Sequence, residues 1–378
     1  MAGQACSLRQ LLGYFLRLGT LGFGGPVALV GAMERDLVQA RGWISEDDFK
    51  QGLTLAQLAP GPLAAQLSIY LGYVHHGALG ATLTGLAFVL PSFLMVVALG
   101  ALYMHFGGAP VIQFLFYGVG AAVIAIIARS AWKLCRRTLK TDAWAWAWGI
   151  FLVVMAATVI LQEELVWFFL AGGLLMIAVR TRPRPVLASC IPAIPAFLAA
   201  PALDWPLLGK LGLFFAKAGA FVFGSGLAIV PFLYGGVVKQ HHWLTERQFL
   251  DAVAVAMITP GPVVITVGFI GYLVAGLPGA CVAALATFLP CWVFTVVPAP
   301  HFRKHGSKPV VKAFVDGVTS AAIGAIAGAA IVLGRRSLVD LPTAAIALAA
   351  LVALWRLPKL PEPLVIAAAG LAGLALHP

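Results

Sequence analysis

Met257-Ile258-Thr259-Pro260-Gly261-Pro262-Val263-Val264-Ile265-Thr266 interrupts a long apolar stretch with Pro-Gly-Pro. Proline removes a donor from the helical ladder, and glycine opens backbone angles that other residues avoid. The same interruption occurs earlier, between Gln57 and Gln66, as QLAPGPLAAQ. In lipid such a break would strand backbone groups, so it is tolerated where it is buried in protein or lines a wet cavity. The two breaks predict a membrane protein with broken helices at its centre.

Composition agrees. Hydrophobic residues make up 61% of the 378 residues and charged ones 10%, with a mean hydropathy of +0.96. Soluble domains carry roughly 25% charged residues, so this chain lacks the polar surface to cover itself. Continuous apolar runs such as Ala78 to Met104, Ala143 to Leu161 and Gly279 to Val297 match the ~20 residues of a spanning helix. They lack the alternation of a β-barrel. No cleavage pattern of a signal peptide follows the first run. The net charge of +11 is read as loop cations that hold a membrane protein in place rather than as a nucleic-acid surface. Cys6, Cys135, Cys190, Cys281 and Cys291 form neither a CxxC pair nor a ligand spacing, so no disulfide framework, metal or cofactor is expected.

Apolar segments fall at 10–33, 52–74, 78–104, 111–130, 143–161, 164–180, 185–201, 211–234, 252–275, 278–299, 311–334, 341–355 and 362–377. The reading is an all-α polytopic protein with about 13 spans, or 12 if the short seventh segment with Pro192 and Pro195 does not cross. With 13 spans and a cytoplasmic N-terminus, 17 Lys and Arg lie in inside loops and 6 outside. Deleting the seventh span abolishes this positive-inside bias.

The chain also repeats itself. Gly19/Gly219, Phe23/Phe223, Gly24/Gly224, Trp43/Trp243, Glu46/Glu246 and Pro60-Gly61-Pro62/Pro260-Gly261-Pro262 match at an offset of 200. After one residue drops out, Gly72/Gly271, Gly77/Gly276, Gly80/Gly279, Pro91/Pro290 and Gly118/Gly317 match at 199. The predicted division is a first repeat over 8–180, a linker with the seventh span over 181–207, and a second repeat over 208–378. An odd number of spans before the second copy inverts it, an architecture shared by many secondary transporters.

A second break matches in each copy: Phe23-Gly24-Gly25-Pro26 and Phe223-Gly224-Ser225-Gly226. New helix starts at all four breaks would offer free N–H groups to an anion. Two cations remain inside spans, Arg17 and Lys217, at equivalent positions about two turns before these breaks. Intramembrane cations often mark ion paths, although Arg17 could also snorkel to the nearby interface. Gln57, Gln66, Ser68, Ser225, Thr259 and Thr266 would add donors. Asp316, near a span start, and Asp251, at the entry to the Pro-Gly-Pro helix, are candidates for a coupling proton; Asp316 could instead pair with Lys312 one turn earlier. The segment Glu34 to Lys50, with Trp43, reads as an amphipathic surface element. His75-His76 and His241-His242 lie at span ends, with metal binding disfavoured.

The runs RLGTLGFGGPVALVG, QLAPGPLAAQLSIYLGY and FVLPSF, and in the second copy FVFGSGLAIVPFLYGGVV, QFLDAVAVAMITPGPVVITVGFIGYLVAG and ATFLP, resemble the chromate ion transporter family in its long-chain, two-domain form. The resemblance extends from about Leu11 to Leu341. It implies efflux of chromate across the bacterial inner membrane, chromate resistance, drive by the proton motive force, and sulfate as competitor. Leu29 departs from the polar residue expected after GGPVA. The expected partners are the anion and the bilayer, with a homodimer left open.

Alternating access by rocking of one copy against the other is the expected mechanism. A sulfate or other oxyanion exchanger and a passive channel are the alternatives. A membrane enzyme would need a clustered acid, base or nucleophile, which the 14 acidic residues, almost all at loops, do not supply. No GxxxxGK[ST] loop supports ATP-driven transport.

Overall fold

The computed structural model describes residues 6–23, 25–106, 110–139, 143–161, 166–180, 206–221, 229–300, 309–338, 340–357 and 360–376. Among them there are helices and no strands, and five helices are long and apolar enough to cross a membrane. The chain is an all-α, multi-pass membrane protein.

Each half begins with two short helical pairs. Ser7 caps α1 (Leu8–Leu21) through a capping box with Gln10, and Gly22 ends it. α2 (Gly25–Met33) then continues as a π-helical stretch over Glu34–Ala40. The Tyr14 hydroxyl donates to Asp36, and Arg41 lies over the rings of Tyr14 and Trp43. Position 14 thus meets 36, and a methyl on Gly22 would meet Leu29. The chain has turned back on itself between α1 and α2.

The second pair repeats the manoeuvre. α3 (Glu46–Leu58), capped by Ser45, ends at Ala59, and α4 begins at Leu63. A methyl on Gly52 would strike Tyr70 and Leu67, and the Tyr70 hydroxyl reaches Gln51. Asp48 at the start of α3 acts electrostatically on His75. Pro60–Gly61 is therefore the tip of a hairpin whose two arms lie side by side. Gly61, at φ 143°, supplies the backbone angle of the reversal.

α4 (Leu63–Phe106) is itself bent at His76–Gly77, where Gly77 takes φ 63°. The parts before and after, α4a (63–75) and α4b (78–106), run antiparallel: Gly72 packs on Gly80, Gly85 on Ile69, and the Thr84 hydroxyl donates to the Ser68 carbonyl. At 1.5 Å per residue, α4b can cross the ~30 Å hydrocarbon core and α4a cannot. His76 Nε2 lies 3.1 Å from the Cys6 carbonyl, so both hairpins have their bases on one face. α5 (Pro110–Thr138), α6 (Trp144–Leu161) and α7 (Val166–Arg180) complete the half.

The second half reuses this plan. α8 (Leu207–Ala220), α9 (Ile229–Leu233) with its π-helical continuation Tyr234–Gln240, and α10 (Glu246–Ile258) precede a 3-10 turn at Val263–Ile265. α11 (Thr266–Val296) bends at Ala275–Gly276 into α11a (266–274) and α11b (277–296), followed by α12 (Pro309–Ser337), α13 (Leu341–Arg356) and α14 (Glu362–Leu376). The repeated glycines do repeated work. Methyls on Gly19 and Gly219 would overlap the Phe88 and Thr287 carbonyl oxygens, and Gly77 and Gly276 make the same positive-φ turn.

Contacts between the halves fix their relative direction. Arg180, ending α7, pairs with Asp316 near the start of α12. Arg247, starting α10, donates to the Gln113 carbonyl near the start of α5, and the Tyr103 hydroxyl near the end of α4b donates to Asp251. The hairpin bases of the second half therefore sit with the far end of α4b, on the face opposite the bases of the first half. The halves are inverted. Arg180 and Pro206 accordingly lie at opposite faces; the predicted seventh span, 185–201, falls outside the described residues.

The outer helices are exchanged. α12 packs against α6 and α7 of the other half, while α5 packs against α13 and α14. Small residues allow the approach: Gly317 meets Gly172 and Gly173, and Gly118 meets Ala369 and Gly373.

The structure thus differs from the expected run of spans. Segments 10–33, 52–74 and 252–275 do not cross as single helices; the two of the first half are re-entrant hairpins, and within 211–234 the described parts of α8 and α9 lie side by side, with Phe214 stacked on Phe232. Hydropathy measures apolar length, and a folded-back hairpin is as apolar as a crossing. Because each half replaces two expected crossings by none, every later helix keeps its expected direction.

Candidate functional site

The hairpin tips meet near mid-depth. Ser92 lies about halfway along α4b, where its hydroxyl donates to the Gly19 carbonyl at 3.3 Å. The Gly261 amide donates to the Gly22 carbonyl at 2.9 Å, and a methyl on Gly261 would collide with Ser92. The first break of one half and the Pro-Gly-Pro tip of the other are therefore joined by a backbone hydrogen bond beside Ser92. The counterpart contact sets Gly61 against Cys291, the residue 199 positions after Ser92. Sequence reasoning does not single out Ser92 or Cys291; the matched Pro91/Pro290 beside them is the one signal that points there.

The first arm of each hairpin ends in good order. Gly22, Ala59 and Thr259 donate their amides back to Leu18, Leu55 and Val255. The second arms begin at the tips, so their N-terminal amides open at mid-depth, where the helix dipole favours negative charge.

The candidate residues divide. Pro60, Gly61, Pro62, Pro260, Gly261 and Pro262 form the two tips, and Gly25 starts α2 beside the first break. Phe23 is 46% exposed. Gly24, Gly224, Ser225 and Gly226 lie outside the described residues. The Thr259 and Thr266 hydroxyls already donate to the Val255 and Val263 carbonyls, and Ser68 to Ala65, so none has a proton left for an anion. Gln57 is exposed on α3 just before its tip.

Arg17 lies on the exposed face of α1, with Gly13, Leu16 and Leu21, away from the face that packs on α4b. It makes no ion pair or hydrogen bond among the described residues. Lys217 is half-buried and acts with Lys210 on His241, whose imidazole is pushed below its ordinary value first by burial and then by these two cations. His241 stacks on Trp243 at 4.3 Å beside Phe214, at the outer end of that hairpin. Lys217 therefore lies within electrostatic reach of the hairpin base. Leu29 is buried against Gly22 and lines no open surface.

The two carboxylates have different surroundings. Asp316 is held by Arg180 at 2.5 Å, not by Lys312, because close packing of α7 on α12 brings the guanidinium to it. Asp251, 4% exposed, accepts from the Tyr103 hydroxyl at 2.7 Å and has no ion pair among the described residues. No group of three or more metal-ligating side chains occurs among the described residues.

Comparison with known proteins places this arrangement. The sequence profile of the family described as "Chromate transporter" matches residues 9–177 and 209–374. The "Chromate transport protein" of Cupriavidus metallidurans is 63% identical over 98% of this chain and 94% of its own length. The "Probable chromate transport protein" of Synechococcus elongatus is 61% identical over 98% and 95%. The "Chromate transport protein" of Pseudomonas aeruginosa is 33% identical over 98% and 93%. No solved structure matches the chain.

Proposed function

Because this chain belongs to the chromate transporter family, we propose that it exports chromate from the cytoplasm across the bacterial inner membrane, conferring chromate resistance. The observation that carries the reading is the junction of the Gly22 break with the Pro-Gly-Pro tip of the opposite half beside Ser92. Irregular backbone at mid-depth between inverted halves is the usual setting of a substrate site in secondary transporters.

In this reading the anion binds at the tips, held by second-arm amides at the Phe-Gly and Pro-Gly-Pro breaks. Arg17 and Lys217 lie about two turns before the breaks; the half-buried Lys217 supplies positive charge to the site, and Arg17, on the exposed face of α1, reaches it only through the length of its side chain. Alternating access then exposes the tips to one face and the other. The proton motive force drives the cycle, with Asp251 as proton carrier: it is a buried carboxylate with no ion pair among the described residues, Arg247 acting on it only from a distance, whereas Asp316 is committed to Arg180.

The N-terminus is cytoplasmic. The hairpin topology moves Arg35, Arg41 and Lys50 to the inside and Lys239 and Arg247 to the outside, which preserves the excess of inside cations. The repeats occupy 8–180 and 208–378 about a linker over 181–207.

Uptake of labelled chromate into inverted membrane vesicles tests the proposal. Accumulation that requires a proton gradient, is reduced by sulfate and falls at least tenfold in Arg17→Ala and Lys217→Ala at normal expression is expected. Flux that only equilibrates would identify a passive channel. Sulfate moving in place of chromate would identify an exchanger for another oxyanion.

A further inference from the structure

The two Pro-Gly-Pro tips are built alike but are not chemically alike. In the first, Gln66 is fully buried, and its amide head folds back onto the tip, against Gly61. Its Nε2 donates to the Pro60 carbonyl at 2.7 Å, which fixes the orientation of the amide, and its Oε1 has no partner. On the three residues that precede it, the amide N–H groups of Leu63, Ala64 and Ala65 meet no acceptor among the described residues, and all three residues are buried. Gln66 is the first residue of the arm whose amide is satisfied, by the Pro62 carbonyl at 2.9 Å.

The second tip lacks this chemistry. Its arm is one residue shorter and starts with the 3-10 turn Val263–Ile265, so the Ile265 amide is already bonded to Pro262. The positions that correspond to Gln66 are Ile265 and Thr266, and the Thr266 hydroxyl is committed to Val263.

Three donors on buried residues and one buried acceptor, all unmet among the described residues, describe a particular ligand. A fully ionised oxyanion satisfies the amides but turns an oxygen lone pair toward Gln66 Oε1. A singly protonated tetrahedral oxyanion satisfies both, with its oxygens on the amides and its hydroxyl on Oε1. Chromate takes up a proton near neutral pH, whereas sulfate does so only in strong acid. We infer that the first Pro-Gly-Pro tip binds hydrogen chromate and that the Gln66 carbonyl oxygen selects it against sulfate. The inference rests on the proposed chromate specificity and adds the ionic form recognised and the residue that recognises it. An unpaired buried acceptor costs about 1–3 kcal/mol, so rejection of sulfate by roughly ten- to a hundredfold is within reach of one such group.

Other titratable groups near this arm are unchanged in Gln66→Met, so a pH slope that survives that substitution belongs to them and not to the Gln66 carbonyl oxygen. The Cys291 thiol faces the tip from α11b, Tyr70 lies one turn farther along, and His75 and Asp48 sit at the hairpin base.

Equilibrium binding of chromate and of sulfate to the purified full-length protein, measured between pH 6.5 and 8.5, tests this with the wild type and with Gln66→Met and Gln66→Asn. In the wild type, chromate affinity should weaken by about tenfold per pH unit above the point where chromate loses its proton. Sulfate should bind at least tenfold more weakly and without that slope. Gln66→Met should lose the slope and the discrimination while retaining weak binding of both anions, and Gln66→Asn, checked for an unchanged melting temperature, should lie between. A wild type that binds sulfate as well as chromate, or a folded Gln66→Met that keeps both slope and preference, would overturn the inference. Chromate binding without vesicle flux would defeat the transport proposal alone, and normal flux with unchanged selectivity in Gln66→Met would defeat this inference alone.

Discussion

Glycines carry much of the specification at the residue scale, and they are not interchangeable. A methyl on Gly19 would enter the Phe88 backbone carbonyl, which cannot move without shifting α4b. Gly19→Ala should therefore destabilise the protein by about 1–3 kcal/mol or displace the hairpin. Gly13, on the same helix with open space around it, should accept alanine without loss. Thermal melting of the two variants in one detergent gives the comparison. The Arg180–Asp316 pair makes a second contrast, since both side chains are less than one-fifth exposed. Removing one member of such a pair strands the other and costs about 3 kcal/mol. Asp316→Asn and Arg180→Gln should lower the melting temperature alike and leave gradient-dependent transport in the surviving protein. Asp251→Asn should melt near the wild type and lose the dependence on the proton gradient. Loss of coupling in Asp316→Asn would reverse the roles given to the two carboxylates.

At the scale of elements, the re-entrant hairpins make the sharpest departure from a run of spans. A single crossing over 52–74 would put Lys50 and His75 on opposite faces, whereas the hairpin puts both with Arg41 and the N-terminus. Cysteines placed at Arg41, Lys50 and His75 in a cysteine-free background should react with an impermeant thiol reagent from one side of the membrane. Labelling of Lys50→Cys and His75→Cys from opposite sides would restore the crossing. The break itself was legible, because Pro-Gly-Pro cannot continue a helix and occurs twice. That the chain reverses there was not, since the reversal depends on Gly52 accepting the Tyr70 ring and Gly61 reaching φ 143°, neither of which hydropathy measures. For the site, the repeat pointed to the tips, but Ser92 and Cys291 emerge only when the inverted halves are brought together, and the unpaired end of Gln66 only once its own tip is folded.

At the scale of the molecule, inversion was legible from the parity of the charged loops, and the exchange of outer helices was not. Parity counts crossings and says nothing of which helix lies beside which. Exchange has a measurable consequence. Either half alone leaves the glycine faces of α5 or α12 without the helices that cover them. Halves divided within 181–205 should fail to accumulate when produced separately and should recover as a complex when produced together. Stable, separate accumulation of either half would show that the exchange contributes little.

The exchanged helices also set how the machine can be divided mechanically. A hinge drawn at the boundary between the repeats would tear α12 from α6 and α7, and α5 from α13 and α14. Under the proposed alternating access, the seam that slips would have to run elsewhere, between an inner body of four hairpins with α4b and α11b and an outer frame of interlocked helices from both repeats. Since α4a is joined to α4b by the two-residue bend at His76–Gly77, with almost no slack, tilting α4b within that frame carries its Pro-Gly-Pro tip along as the end of a short lever. The moving parts of this protein would then be units that no stretch of its sequence encodes by itself.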